Sequence, residues 1–174
     1  FQFDVSQAFL YSDLEEEIYV KMPSGKEKYD SDGNEMCWKL HKSLYGLKQA
    51  PRAWFKLISK WLIDYGFTPS PVDTGIYTYN ENGITCILGL FVDDIFGGCS
   101  SQEFIEDLYK DLSVKFDITR EAHIAHLLGM EVELQDDGSF YIHQSKYISD
   151  LIQKYNLTSI PSVDLPMDPK FEVS

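Results

Sequence analysis

The apolar run at residues 84–92 is cut by two adjacent carboxylates, Asp93 and Asp94, after which Ile95-Phe96-Gly97-Gly98 resumes the apolar character. Two anions side by side cannot continue a buried strand, because each loses hydration and repels the other. The chain must bend there. Just upstream, Asn80-Glu81-Asn82-Gly83 is a turn-prone tetrad between residues 75–79 and the same run. Two successive antiparallel hairpins are therefore expected, with the acidic pair at the bend of the second. The interruption also keeps the run below the roughly 18 apolar residues a membrane span requires.

Elsewhere the periodicity changes. From Pro51, the residues Trp54, Leu57, Ile58, Trp61, Leu62 and Tyr65 recur at spacings of three and four, which predicts an amphipathic helix opened by Pro51 and closed by Gly66. A second helix is expected after Ser100-Ser101-Gln102-Glu103, a capping signal, with Phe104, Leu108, Leu112 and Phe116 on its buried stripe. Residues 2–9 read as a strand end turning into a helix. Residues 18–22 and 36–40 read as strands around a surface loop at 24–34. Residues 127–134 and 139–143 form a further hairpin around Asp136-Asp137-Gly138, a last helix covers 145–155, and 160–169 is a proline-punctuated exit. Hairpins with two or three helices make an α+β, two-layer domain, an antiparallel sheet covered by helices on one face.

The chain has 174 residues, 44% of them apolar and 14% aromatic, enough for one globular core. It begins mid-pattern without an initiator Met, as expected of a piece of a longer polypeptide. Cys37, Cys86 and Cys99 have no disulfide or zinc spacing. His123 and His126, three apart, lack a cysteine or acidic partner at metal-site spacing, so zinc is not expected. The formal charge of −13 argues against a grip on nucleic acid. The acid gathers in blocks, at 13–17, 27–35, 103–107 and 131–137, expected to be solvated faces and loops. Lys39, Lys42, Lys48 and Arg52 form a local basic segment around residues 43–51.

The pair Asp93-Asp94 admits two readings: an exposed β-turn, for which Asp-Asp is common chemistry, or an oxygen site for magnesium, which takes one or two carboxylates plus substrate phosphates. Asp4 also ends a short apolar run. Two strands presenting such carboxylates side by side would hold two metals roughly 4 Å apart, the arrangement that activates a 3′ hydroxyl and steadies a leaving pyrophosphate.

Four segments then carry a resemblance. Asp4-Val5-Ser6-Gln7-Ala8-Phe9-Leu10 with Asp13-Leu14-Glu15-Glu16-Glu17-Ile18-Tyr19 resembles the first polymerase motif of copia-type LTR-retrotransposon reverse transcriptases. Ser43-Leu44-Tyr45-Gly46-Leu47-Lys48-Gln49-Ala50-Pro51-Arg52-Ala53-Trp54 resembles their second motif almost letter for letter. Phe91-Val92-Asp93-Asp94 is similar to the Y-V-D-D hairpin, and Leu127-Leu128-Gly129-Met130-Glu131-Val132 resembles the primer-grip strand. Phe91 stands where Tyr is usual, and Tyr11-Ser12 where Asn-Gly is more typical. Neither is a metal-ligand position.

The resemblance implies the palm of a right-hand polymerase over residues 1–144, with 145–174 a C-terminal helix and the start of a thumb or connection. It implies Asp4, Asp93 and Asp94 as catalytic metal ligands for two Mg2+ ions, Mn2+ being an alternative. Val5, Phe9, Tyr45 and Gly46 would line the nucleotide, Phe9 crowding a ribose 2′ hydroxyl, and Lys48, Arg52, Gly129 and Met130 would meet primer or template. For each of these a plainer reading stays open: core packing for Phe9, a turn before the helix for Tyr45-Gly46, a solvated helix start for Lys48 and Arg52, strand packing for Gly129-Met130.

The implied activity is RNA-directed DNA polymerisation on an RNA or DNA template–primer from deoxynucleotide triphosphates. The implied setting is a polyprotein with integrase and ribonuclease H segments, in a cytoplasmic virus-like particle, with no membrane. Fingers before Phe1 and a thumb after Ser174 would carry the missing basic surface. Two other classes remain: a non-catalytic nucleic-acid-binding or scaffold relic of such an element, and a palm-type two-metal enzyme such as a nucleotide cyclase, against which the segment at 43–54 argues.

Overall fold

The computed structural model describes residues 1–121 and 124–161. By its contacts the chain divides into two compact units, Phe1–His123 and Ile124–Ser174. The first unit holds β1 (Gln2–Val5), a 3-10 turn (Ala8–Tyr11), β2 (Asp13–Lys21), β3 (Cys37–Lys42), α1 (Ala50–Tyr65), β4 (Thr68–Pro69), β5 (Ile76–Glu81), β6 (Ile84–Phe91), β7 (Asp94–Cys99), α2 (Gln102–Lys115) and β8 (Ile118–Glu121). The second holds β9 (His126–Leu127), β10 (Met130–Leu134), β11 (Phe140–His143), α3 (Ser145–Lys154) and a 3-10 turn (Leu157–Ser159). The architecture is a mixed α/β one, with antiparallel sheets and three α-helices among the described residues.

In the first unit six strands run in the order β4-β5-β6-β7-β1-β8, all antiparallel. Both helices bury the same face of this sheet. Trp54, Ile58 and Leu62 of α1 and Ile105, Leu108 and Leu112 of α2 share one core with Phe3, Val5, Tyr77, Leu88, Leu90, Ile95 and Ile118. The alternation of strand side chains then turns Gln2, Asp4, Asp94 and Phe96 to the opposite face. The helix expected from Pro51 is α1, with proline in its first turn. Gly66 closes it at φ +116°, its N–H donating to the carbonyls of Leu62 and Ile63. The capping signal before α2 is realised by Ser101, whose Oγ accepts the Phe104 N–H at 3.2 Å.

Three expectations are corrected. The strand expected at 18–22 starts earlier: the acidic block at 13–17, solvated as expected, is most of β2, and its charge is met by lysines of β3 and α1 through Asp13–Lys42, Glu17–Lys39 and Glu15–Lys56 pairs. Consequently two members of the basic segment, Lys39 and Lys42, are already matched by carboxylates. Residues 127–134 are not one strand, because Leu128 (φ 51°) and Gly129 (φ 76°) turn the chain between β9 and β10, where Met130 pairs with Leu127. Apolar character at 127–134 hid a turn whose signal was a single glycine. Last, β4 and β8 were not anticipated; both are short edge strands of the large sheet.

Of the two histidines considered for zinc, His126 is exposed in β9, and His123 lies outside the described residues. Most of the proline-punctuated exit at 160–169 lies outside them too. Among the described residues no helix is long and apolar enough to cross a membrane.

Candidate active site

The large sheet brings the three aspartates to one end of adjacent strands. Asp4 on β1 is the register partner of Asp94 on β7, and the N–H of Val5 donates to the Asp93 carbonyl at 2.9 Å. Directly opposed residues of an antiparallel pair hold their Cβ atoms about 5 Å apart on one face. All three carboxylates are half-buried. Burial, first, and then the charges of Asp93, Asp94 and Glu121 push the Asp4 carboxyl above the usual carboxylate range. One oxygen of Asp94 accepts the amide of Gln2 at 3.1 Å, two residues before Asp4 on the same face. The donor set is oxygen only, which suits magnesium. Among the described residues, however, no three His, Cys, Asp or Glu side chains are grouped closely enough to hold an ion. The aspartates share an edge without converging.

The bend itself is a two-residue turn, since Phe91 pairs with Asp94 and leaves Val92 and Asp93 between the strands. Val92 sits at φ 54°, a region that crowds a β-branched side chain. Its carbonyl accepts the indole N–H of Trp54 at 2.6 Å. Trp54 is buried against Phe116 (5.3 Å, edge-on) and Tyr11 (6.3 Å). The Tyr11 hydroxyl in turn accepts the Asp117 N–H at 2.7 Å.

Around the carboxylates, Phe9 lies at the margin of the core with its ring centroid 4.6 Å from that of Tyr45. Desolvation first, and then the charges of Asp93 and Asp4, raise the Tyr45 phenol, which puts this exposed ring beside the acidic edge. Gly46 follows at φ +94°, with open space where a Cβ would stand. Its glycine is therefore required by backbone conformation. Val5 has its side chain in the core and its N–H on Asp93, so it supports the site from beneath. A small apolar recess of about 220 Å³, lined by Phe9, Pro51, Trp54, Phe55, Leu90 and Val92, flanks the turn.

Lys48 and Arg52 are exposed and form no ion pair among the described residues; Arg52 lines a notch with Glu15, Glu16 and Lys56. Gly129 and Met130 belong to the second unit, at the turn and the start of β10. Sequence reasoning missed Gln2 and the Trp54 donor. The first was signalled by its i, i+2 relation to Asp4. The second was hidden because Trp54 also satisfies the apolar stripe of α1.

A mixed sheet-and-helix unit with carboxylates on neighbouring strands beside a tight hairpin defines a class by geometry, and comparison with known proteins gives that class its family. The chain belongs to the family described as reverse transcriptase (RNA-dependent DNA polymerase), whose model matches residues 1–169. Its relatives are copia-type retrotransposon polyproteins. It is 31% identical over 173 residues to the retrovirus-related Pol polyprotein from transposon RE1 of Arabidopsis thaliana, covering 99% of this chain and 12% of that protein. It is 34% identical over 176 residues to the corresponding polyprotein from transposon TNT 1-94 of Nicotiana tabacum, covering 99% and 13%. The putative transposon Ty5-1 protein YCL074W of Saccharomyces cerevisiae is 25% identical over 175 residues, 98% of this chain and 56% of that protein. The chain thus spans about an eighth of the two plant polyproteins. No solved structure matches it.

Proposed function

We propose that this chain is the palm of an RNA-directed DNA polymerase that transfers deoxynucleotides to a primer 3′ end by two-metal catalysis. The observation that carries the reading is the register that sets Asp4 opposite Asp94 with the Asp93 carbonyl bound to Val5. Asp4 and Asp93 would hold the metals, with Asp94 as the third carboxylate. Two magnesium ions, or manganese, would supply Lewis acidity to the attacking hydroxyl and the departing pyrophosphate. The chain's own residues do the remainder.

Phe9, braced by Tyr45, forms a wall against a ribose 2′ hydroxyl and so selects deoxynucleotides. Tyr45 offers a ring face and Gly46 an unobstructed backbone to the incoming nucleotide. Lys48 and Arg52, which form no ion pair among the described residues, meet template or primer phosphate, and Gly129 and Met130 meet the primer end. Within this reading residues 1–144 act as palm and 145–174 lead toward a thumb or connection. The partners are an RNA or DNA template–primer, deoxynucleotide triphosphates, and integrase and ribonuclease H segments of one polyprotein in a cytoplasmic particle.

The test replaces the matched segment of the tobacco relative's polyprotein with this chain and measures primer extension on poly(rA)·oligo(dT) in magnesium or manganese. The native chimera extends the primer, and the Asp93→Asn, Asp94→Asn double variant loses about a thousandfold or more of that rate. A native chimera that extends nothing in either metal would replace the polymerase reading with a non-catalytic nucleic-acid-binding or scaffold relic.

A further inference from the structure

We propose that Trp54 is a positioning residue whose indole N–H, by holding the Val92 carbonyl, fixes the strained turn that carries Asp93 and Asp94. The catalytic consequence of this clamp rests on the polymerase reading; the clamp itself does not. Three observations converge on it. First, Val92 is a β-branched residue at φ 54°, a left-handed conformation that persists only where its surroundings over-determine it. With only two residues between the paired Phe91 and Asp94, the turn has no slack to relax into another form.

Second, both carbonyls of that turn are held by different elements. The Asp93 carbonyl is held by β1 through the Val5 N–H at 2.9 Å, and the Val92 carbonyl by α1 through Trp54 at 2.6 Å. The strand that presents Asp4 therefore sets one half of the turn, and the helix sets the other. The bond is part-buried, with Val92 exposed and the indole enclosed, so its loss would leave the Trp54 N–H unmatched at the cost of that group's desolvation.

Third, Trp54 is itself immobilised. It is 1% exposed, and its ring meets Phe116 edge-on, with the Tyr11 ring 6.3 Å away beside Phe116. Tyr11 packs on Phe116 at 5.2 Å and binds the Asp117 N–H, and the Asp117 carbonyl accepts the Ser6 N–H at 2.8 Å. The donor aimed at the turn is thus anchored to the segment that follows Asp4. A shift of either carboxylate strand relative to α1 has to break a bond in this ring of contacts. Simple core filling would need the indole's bulk but not its N–H, and that difference is testable.

The experiment substitutes Trp54 with β-(3-benzothienyl)alanine, which keeps the bicyclic shape and exchanges the N–H for sulfur, alongside Trp54→Phe. In the isolated chain, amide hydrogen exchange is followed by NMR. At Val5, whose N–H is bonded to the turn, and at Asp94, which pairs with Phe91 across it, exchange quickens by about tenfold in the isostere, while Leu108 in α2 keeps its native protection. In the tobacco chimera, kcat falls about tenfold with the nucleotide KM within about twofold of native, the pattern of a misplaced reacting group. Native exchange at Val5 and Asp94 in the isostere would overturn the clamp. A loosened turn with undiminished kcat would overturn its catalytic consequence. If the native chimera proves inactive, the exchange result still decides the clamp, and the polymerase reading alone fails.

Discussion

Asp4 is placed where its charge is least welcome. Burial and the neighbouring Asp93 and Asp94 hold its carboxyl above the ordinary range, so the folded chain binds that proton more tightly than the unfolded chain does. The stability this contributes is fully present below the unfolded carboxylate value of about 3.9 and is lost as pH rises through the elevated folded value. An asparagine amide at this position would mimic the protonated acid. Asp4→Asn therefore raises the thermal midpoint of the metal-free chain at neutral pH, and the gain shrinks toward nothing below about pH 4, as thermal melts across the range would record. A lower midpoint at neutral pH would mean that Asp4 makes a stabilising contact in its ionised form. That Asp4 and Asp93-Asp94 interrupt apolar runs, and that the chain bends at the pair, was legible in the sequence, because carboxylates are costly there. Their mutual placement was not, since register between β1 and β7 is set by pairing across some ninety residues of chain.

Among the elements, α1 was the most legible, for its apolar stripe, its early Pro51 and its terminal Gly66 all point to the same boundaries. Gly66 can be checked directly. It adopts φ +116°, and a Cβ there would lie 3.1 Å from the ring of Tyr79. Gly66→Ala combines backbone strain with that contact and lowers stability by about 1–2 kcal/mol in denaturant titrations, without changing the helix content. The two central hairpins were equally readable from Asn82-Gly83 and from the acidic interruption. What escaped were elements whose cause lies outside their own residues. β2 is written in acids that disfavour a strand; its pairing with β3 rests on residues 18–21 and Asp13, while Lys39 and Lys42 of β3 and Lys56 of α1 meet the acids in exposed ion pairs. β4 and β8, with two and four residues, exist only as edges completed by β5 and β1. The turn at Leu128-Gly129 was masked by the apolar residues around it.

For the molecule as a whole, a net charge of −13 opposes association with another polyanion. Of the basic segment that the sequence offered, Lys39 and Lys42 are paired with Glu17 and Asp13, and nearby Lys56 with Glu15. Within that segment only Lys48 and Arg52 remain to displace cations from a duplex. The isolated chain is accordingly expected to bind a poly(rA)·oligo(dT) duplex with a log–log salt slope near −2 rather than the −4 that four free cations would give, at about 0.9 per contact. Fluorescence anisotropy from about 50 to 200 mM salt reads that slope directly. A slope near −4 would mean that further cations reach phosphate, either Lys39 and Lys42 released from their carboxylates or lysines outside this segment.

The acidic strand β2 thus does more than decorate a surface. Its carboxylates are a permanent, covalently attached counterion layer over the neighbouring lysines. Nucleic acid reaching this face arrives as a competitor for cations already engaged. Because added salt weakens the resident ion pairs as well as the incoming ones, a polyanion attaching through those lysines would exchange one anion for another, which blunts the effect of ionic strength.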